Sequence, residues 1–172
     1  MPCDGNDYVT NFRDGTLTLE DGAGHTMVVP LDMGDLAISG LTAGQAEVAV
    51  YKPRGRTKAI RLTNQTEPTL SFSAMLNRVT ASEAAGRLAT PKRALLDFLL
   101  FRGASKGNSR TGGVCGDVPT LNAKWTLNTA DGVEYVLAKD VHFSVDTAEG
   151  DPNMISASGT IYNADVEIVG AV

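Results

Sequence analysis

EVAVYKPRGRTKAIRLTNQTEPTLSFSAML, residues 47–76, joins two kinds of extended chain through a turn. The first kind has basic side chains on alternate residues, followed by one further cation: Lys52, Arg54, Arg56, Lys58 and then Arg61. The second kind alternates strictly between apolar and polar residues, with the apolar positions at Leu70, Phe72, Ala74 and Leu76. Successive side chains of an extended chain point to opposite faces. The stretch therefore predicts a basic ribbon, residues 51–66, that projects from a strand with one buried face.

Charge is distributed unevenly between this ribbon and the rest of the chain. The 172 residues include 15 Lys and Arg and 20 Asp and Glu, which gives a net charge of −5. Residues 52–61 contain five of the cations and no acid, so the remainder has ten cations against twenty acids, a net charge of −10. An acidic body repels nucleic acid. A basic ribbon on an acidic body instead favours self-association, because opposite charges on two copies attract.

The strand pattern predicts one mainly β domain that spans residues 1–172. About nine short alternating segments are separated by turns rich in Gly, Asp and Asn. One helix is expected, with Thr90 as its N-cap, Pro91 in its first turn and Gly103 at its end. These elements indicate an antiparallel β-sandwich or barrel with one flanking α-helix. A flexible, glycine-rich loop is expected at residues 104–116.

The candidate core residues are the apolar positions of the alternating segments and of the helix face that repeats at three- and four-residue intervals. They are Leu70, Phe72, Leu76, Leu95, Phe98, Leu99, Trp125, Phe143, Ile155 and Ile161.

The residues that carry chemistry in enzymes form no recognisable set in this sequence. His25 and His142 lie far apart and outside any metal-ligand spacing. Cys3 and Cys115 are expected to be free thiols of a reducing compartment. The acids fall mainly in turns, where Asp has a local hydrogen-bonding role. We therefore predict no catalytic residues, no metal site, no cofactor and no enzymatic activity.

Two kinds of external partner can be considered from the residues alone. The N-terminus has no secretory signal pattern, and no apolar run approaches the length of about 20 residues that a membrane helix needs, so no membrane partner is expected. Single-stranded nucleic acid is weakly supported, because Tyr51 is the one aromatic residue of the ribbon. Contact with duplex phosphates through the ribbon stays open as an alternative.

Several weak motifs occur in an order that resembles the tail tube proteins of long-tailed bacteriophages, over residues 11–172. A strand is followed by YKPRG at residues 51–55 and the basic ribbon, and the Glu67-Pro68 pair precedes LSFSA at residues 70–74. One apolar helix, a loop rich in Gly and Ser, and a closing strand ISASGTIY at residues 155–162 complete the order. The chain departs from the family at Pro53 and at residues 64–66, where acidic residues are often found.

The resemblance implies a subunit that assembles into hexameric rings, which stack into a hollow tube around a tape-measure protein. Tail completion proteins would be further partners, and DNA would pass non-specifically through the lumen. The ribbon would reach the neighbouring ring, which makes its cations, Lys52, Arg54, Arg56, Lys58 and Arg61, the expected inter-ring contacts. The expected location is the virion tail, after assembly in the bacterial cytoplasm. The alternatives are a related ring protein of the secretion-tube or tail-terminator type, or a β-sandwich binding module.

Overall fold

The computed structural model of the chain describes residues 14–29, 36–42, 46–52, 57, 59–76, 94–102, 105, 109–111, 117–129, 132–163 and 166–170. Within these ranges the chain forms ten strands and one short helix. They are β1 Thr16–Glu20, β2 Thr26–Val29, β3 Leu36–Ser39, β4 Ala46–Tyr51, β5 Ala59–Gln65, β6 Thr69–Met75, α1 Leu95–Leu99, β7 Leu121–Thr129, β8 Gly132–Ala148, β9 Met154–Ile161 and β10 Glu167–Val169. The strand pairings among these residues are antiparallel. The predicted mainly β, antiparallel fold with one helix is confirmed.

Eight strands form one large sheet, in the order β2-β1-β7-β8-β9-β6-β3, with β10 also paired to β8. The 17-residue β8 joins the two parts of this sheet. Its first half pairs with β7 and β10, and its second half pairs with β9. Between these halves β8 has one extra residue relative to β7, and Asp140 adopts a left-handed φ of 55°. This is a β-bulge, and a bulge bends a strand.

Because the sheet bends, side chains from both of its ends share one core. Eight of the ten candidate core residues are buried there, whereas Leu76 and Leu95 are partly buried and pack against it. Phe72 meets Phe143 edge to face, with ring centroids 5.8 Å apart. Gly159 lies beneath Phe143, and a Cβ at this glycine would come within 2.8 Å of the ring. The close approach explains why glycine occupies an inward position of β9.

The helix ends earlier than the predicted stop at Gly103. The N–H of Phe101 donates to the carbonyl of Phe98, and the N–H of Arg102 donates to the carbonyl of Asp97 at 2.9 Å. This is a Schellman motif, in which Phe101 takes the left-handed position with a φ of 52°. Glycine usually takes that position, but the Phe101 side chain packs against the core.

The beginning of the helix also differs from the prediction. Ala94 is the N-cap and makes no side-chain capping bond. The predicted cap Thr90, the first-turn Pro91 and the predicted stop Gly103 all lie outside the described residues. Among the helices that the structure describes, none is both long enough and apolar enough to cross a membrane.

Candidate functional site

The ribbon begins earlier in the chain than predicted, at the start of β4, and spans residues 46–66. Its strands β4 and β5 form a two-stranded antiparallel sheet that is separate from the large sheet. In the described part of the chain, these two strands pair only with each other. Val48 lies opposite Leu62, and Val50 lies opposite Ile60. Cross-strand partners share one face of a sheet. These four residues therefore form a single aliphatic face, and their side chains are 56%, 58%, 46% and 65% exposed in the order named.

The opposite face of the ribbon is mixed, and Arg61 is its cation among the described residues. Ala49 lies opposite Arg61, and the Arg61 guanidinium is 6.0 Å from the centroid of the Tyr51 ring, within cation–π range. The Thr63 hydroxyl donates to the Glu47 carbonyl at 3.2 Å. This face is exposed as well, so the ribbon has two unlike surfaces and buries neither against the core.

The base of the ribbon is closed by contacts within the chain. The Thr42 and Thr66 hydroxyl oxygens are 3.2 Å apart, which joins the segment before β4 to the segment after β5. The register shifts between Ala46 and Val48, where β5 contributes one extra residue. Bulges increase the local twist of a strand pair. The ribbon therefore leaves the body through a twisted, hydrogen-bonded base.

The predicted contact cations are only partly within the described residues. Lys52 is exposed just after β4, and Arg61 is exposed on the mixed face. Arg54, Arg56 and Lys58 lie outside the described residues, so the structure does not bring the five cations together or separate them. The aliphatic face was not predicted. Its signal was present in the sequence, because apolar residues alternate in both halves of the ribbon.

A second exposed surface covers the outer side of β3, β6, β9 and the second half of β8. Its residues form three cross-strand rows: Ser39–Thr69–Thr160–His142, Ala37–Ser71–Ser158–Ser144 and Ser73–Ser156–Asp146. We call this surface the hydroxyl face. The four strand segments that form it contain no Lys or Arg. A shallow groove of about 220 Å³ lies on it, lined by Ser71, Ser73, Asp146, Ser156 and Ser158 together with Ala37, Phe72 and Ala157.

Both histidines make hydrogen bonds within the chain. The His25 Nδ1 lies 2.9 Å from a carboxylate oxygen of Asp21, and the His142 Nδ1 lies 2.9 Å from the Pro119 carbonyl oxygen. Among the residues that the structure describes, no three His, Cys, Asp or Glu side chains are grouped as metal ligands would be. Cys3 and Cys115 lie outside that part of the chain.

The pKa of Asp21 is clearly shifted by its surroundings. Its side chain is buried, which raises the pKa, but hydrogen bonds from His25, Ser109 and Ala23 favour the charged form and outweigh burial. The net effect holds the pKa of Asp21 below its ordinary value. Asp21 is therefore an ionised, structurally engaged carboxylate at neutral pH.

Comparison with models of known protein families and with curated protein sequences found no match. The interpretation of function therefore depends on the two surfaces and on the charge distribution described above. The resemblance to phage tail tube proteins stays a prediction.

Proposed function

We propose that this chain is a structural subunit that self-assembles through its ribbon, and that it forms the tube of a bacteriophage tail. In this proposal, hexameric rings stack into a tube whose lumen conducts DNA. The observation that carries the proposal is the aliphatic face of Val48, Val50, Ile60 and Leu62, exposed on a ribbon whose described strands pair only with each other. Exposed contiguous apolar side chains mark sites of protein interaction.

A second copy of the chain is the partner that the charges favour. Residues 52–61 have a net charge of +5, and the remainder of the chain has a net charge of −10. The ribbon of one copy is therefore attracted to the body of another. Such a contact joins two different surfaces, and a contact of this kind generates closed rings or open filaments when it repeats. In a tube of stacked rings, the ribbon makes the open, repeating contact that joins one ring to the next.

The hydroxyl face is the surface we assign to the lumen. A protein binds duplex DNA mainly by neutralising phosphates with Lys and Arg and releasing their counterions. The four strand segments that form this face contain neither residue, and Asp146 adds a negative charge. DNA would therefore pass along it without being held. The proposed tape-measure and tail completion partners, and the location in the virion tail, follow from the family resemblance.

A β-sandwich binding module is the second candidate, and the shallow groove on the hydroxyl face is the observation that favours it. This alternative predicts a protein that stays monomeric and binds a small polar ligand. A ring protein of the tail-terminator type predicts single rings that do not stack. The three candidates therefore differ in the assembly that the purified protein forms.

Negative-stain electron microscopy and sedimentation velocity on the purified chain test the proposal. We expect six-fold rings and tubes as protein concentration rises, and weaker assembly at high salt, because the attraction between charges is screened. Monomers at every concentration, salt and pH would contradict the proposal. Rings that never stack would support the terminator instead.

A further inference from the structure

The segment Ser109–Thr111 runs along one end of the large sheet, where β1 ends and β7 begins. Its first residue contacts the turn after β1, and its last residue contacts the bulge of β8. We propose that Asp21 and Asp140 act as a two-point clamp on this segment, which opens as one cooperative unit without unfolding the sheet. The proposal is independent of the assembly proposed above.

The first point of the clamp is Asp21, which is 2% exposed. One carboxylate oxygen accepts the N–H groups of Ala23 and His25 at 3.0 and 2.7 Å. The other oxygen accepts the N–H of Ser109 at 3.1 Å, a contact across 88 residues of sequence. The backbone completes the attachment, because the N–H of Gly22 donates to the Ser109 carbonyl at 2.7 Å. The Asp21 carboxylate thus holds both the turn after β1 and the segment Ser109–Thr111 in place.

The second point is Asp140, which is also 2% exposed and lies in the bulge of β8. The Thr111 hydroxyl donates to its carboxylate at 2.5 Å, and the Thr111 and Thr120 hydroxyl oxygens are 2.7 Å apart. Since Thr111 donates to the carboxylate, Thr120 is the donor between the two hydroxyls. The N–H of Thr111 also donates to the Thr120 carbonyl at 3.1 Å.

Two features couple the two attachment points, so that they are expected to open together. Hydrogen bonds to a carboxylate are stronger than neutral ones, so both ends of the segment are held by charge-assisted bonds. The two points are also separated by a single residue, Arg110, so one cannot move far while the other holds. Arg110 itself pairs with Asp117 at 2.8 Å, but both side chains are exposed and such pairs contribute little.

An open clamp would present a surface that the closed clamp hides. The carboxylates of Asp21 and Asp140 and the N–H groups of Gly22, Ser109 and Thr111 would face solvent together. Local openings of this kind occur without global unfolding and are measured by amide hydrogen exchange. In the closed clamp, residues 109–111 lie against the body within a single copy of the chain.

Amide hydrogen exchange of the full chain, followed by NMR, tests the clamp through the variant Asp140→Asn. Asparagine tolerates the left-handed backbone at this position, so the substitution removes charge without straining the bulge. We expect exchange at Gly22, Ser109 and Thr111 to speed up together by about tenfold or more. Exchange at β9 amides such as Ala157 should not change. Asp146→Asn, in an exposed position of the same strand, is the matched control and should leave all these rates unchanged.

The reciprocal variant Asp21→Asn should accelerate exchange at Thr111, although Thr111 does not contact Asp21. If Asp140→Asn does not fold, Asp21→Asn still tests the clamp. Acceleration limited to Thr111 in Asp140→Asn, or to Gly22 and Ser109 in Asp21→Asn, would overturn the two-point clamp. Equal acceleration at Ala157 would also overturn it, because the segment would then open only by global unfolding.

Discussion

Val50 and Ile60 face each other across the two strands of the ribbon, and both remain largely exposed, at 46% and 65%. If this pair is a contact between rings, Val50→Asp should abolish the stacking of rings into tubes, because it places a charge in a desolvated interface. The monomer should keep its melting temperature to within a few degrees, since the side chain lies outside the core. Sedimentation velocity and thermal unfolding measure the two effects.

Val133→Asp is the control for this substitution. Val133 is 51% exposed, much like Val50, but it lies at the start of β8 in the large sheet. Assembly should survive in this variant. Tubes of normal length from Val50→Asp would show that the aliphatic face is not the contact.

Charge reversal in the ribbon tests the electrostatic half of the proposal. Replacing Arg54 and Arg56 by Glu leaves three cations and two acids in residues 52–61, which lowers their net charge from +5 to +1. We expect stacking to be lost while the monomer stays folded. Reversing two exposed cations outside the ribbon, Arg102 and Lys124, changes the total charge equally and should leave stacking intact. Stacked tubes from the ribbon variant would remove its cations from the contact.

The sequence was sufficient to predict the strand architecture and a projecting ribbon, but not the exposed aliphatic face of that ribbon. Phe72 and Ile155 belong to strands that alternate strictly, and the structure buries both. Val48 and Val50 alternate in the same way, yet they are exposed. Alternation of apolar and polar residues indicates which side chains share a face of a strand. Whether that face is buried depends on whether another element covers it. No local pattern contains that information.

Asp21 and Asp140 show a second limit of prediction from sequence. Asp21 was interpreted as a turn acid, which is correct locally, because it accepts N–H groups from its own turn. Its bond to Ser109 spans 88 residues, and the bond of Asp140 to Thr111 spans 29. Contacts at such separations are set by the packing of the sheet. The clamp therefore became visible only in the structure.

Phe72→Ala should strongly destabilise the body. Phe72 is 2% exposed and packs edge to face on Phe143, so its removal leaves a cavity in the shared core. We expect a loss of about 3–5 kcal/mol in the free energy of unfolding, measured by urea denaturation. Ser71→Ala, at the adjacent outward position of β6, should change it by less than about 0.5 kcal/mol. An unchanged denaturation midpoint for Phe72→Ala would place the ring outside the core.

Gly159→Ala should also destabilise the protein, although alanine usually lowers the entropy of the unfolded chain. A Cβ at this position would collide with the side chains of Val141 and Phe143, both of which are buried. Overpacking costs about 1–3 kcal/mol, which exceeds the gain of about 0.4–1 kcal/mol from the unfolded state. Gly170→Ala has nothing within 4 Å of the new atom and is the control. Equal stability of the two variants would contradict the close packing of β9 on β8.

Asp21 should make the free energy of unfolding depend on pH in the acid range. Because its pKa in the folded chain lies below the ordinary value, its contribution is complete above the unfolded pKa of about 3.9 and is lost as pH falls through the folded value. Asp21→Asn removes this ionisation. We therefore expect the wild-type chain to be more stable at pH 7 by about 1.5–3 kcal/mol, the range for hydrogen bonds to a charged group.

That difference should shrink at the acid end of a pH series of urea denaturations, because the wild-type Asp21 becomes neutral as well. Asp146→Asn, which changes an exposed acid in β8, controls for the loss of one negative charge from the whole chain. A difference between wild type and Asp21→Asn that stays constant from neutral pH to below the folded pKa would mean that the carboxylate stabilises the turn by shape alone. The charge-based explanation of its hydrogen bonds to Ala23, His25 and Ser109 would then be wrong.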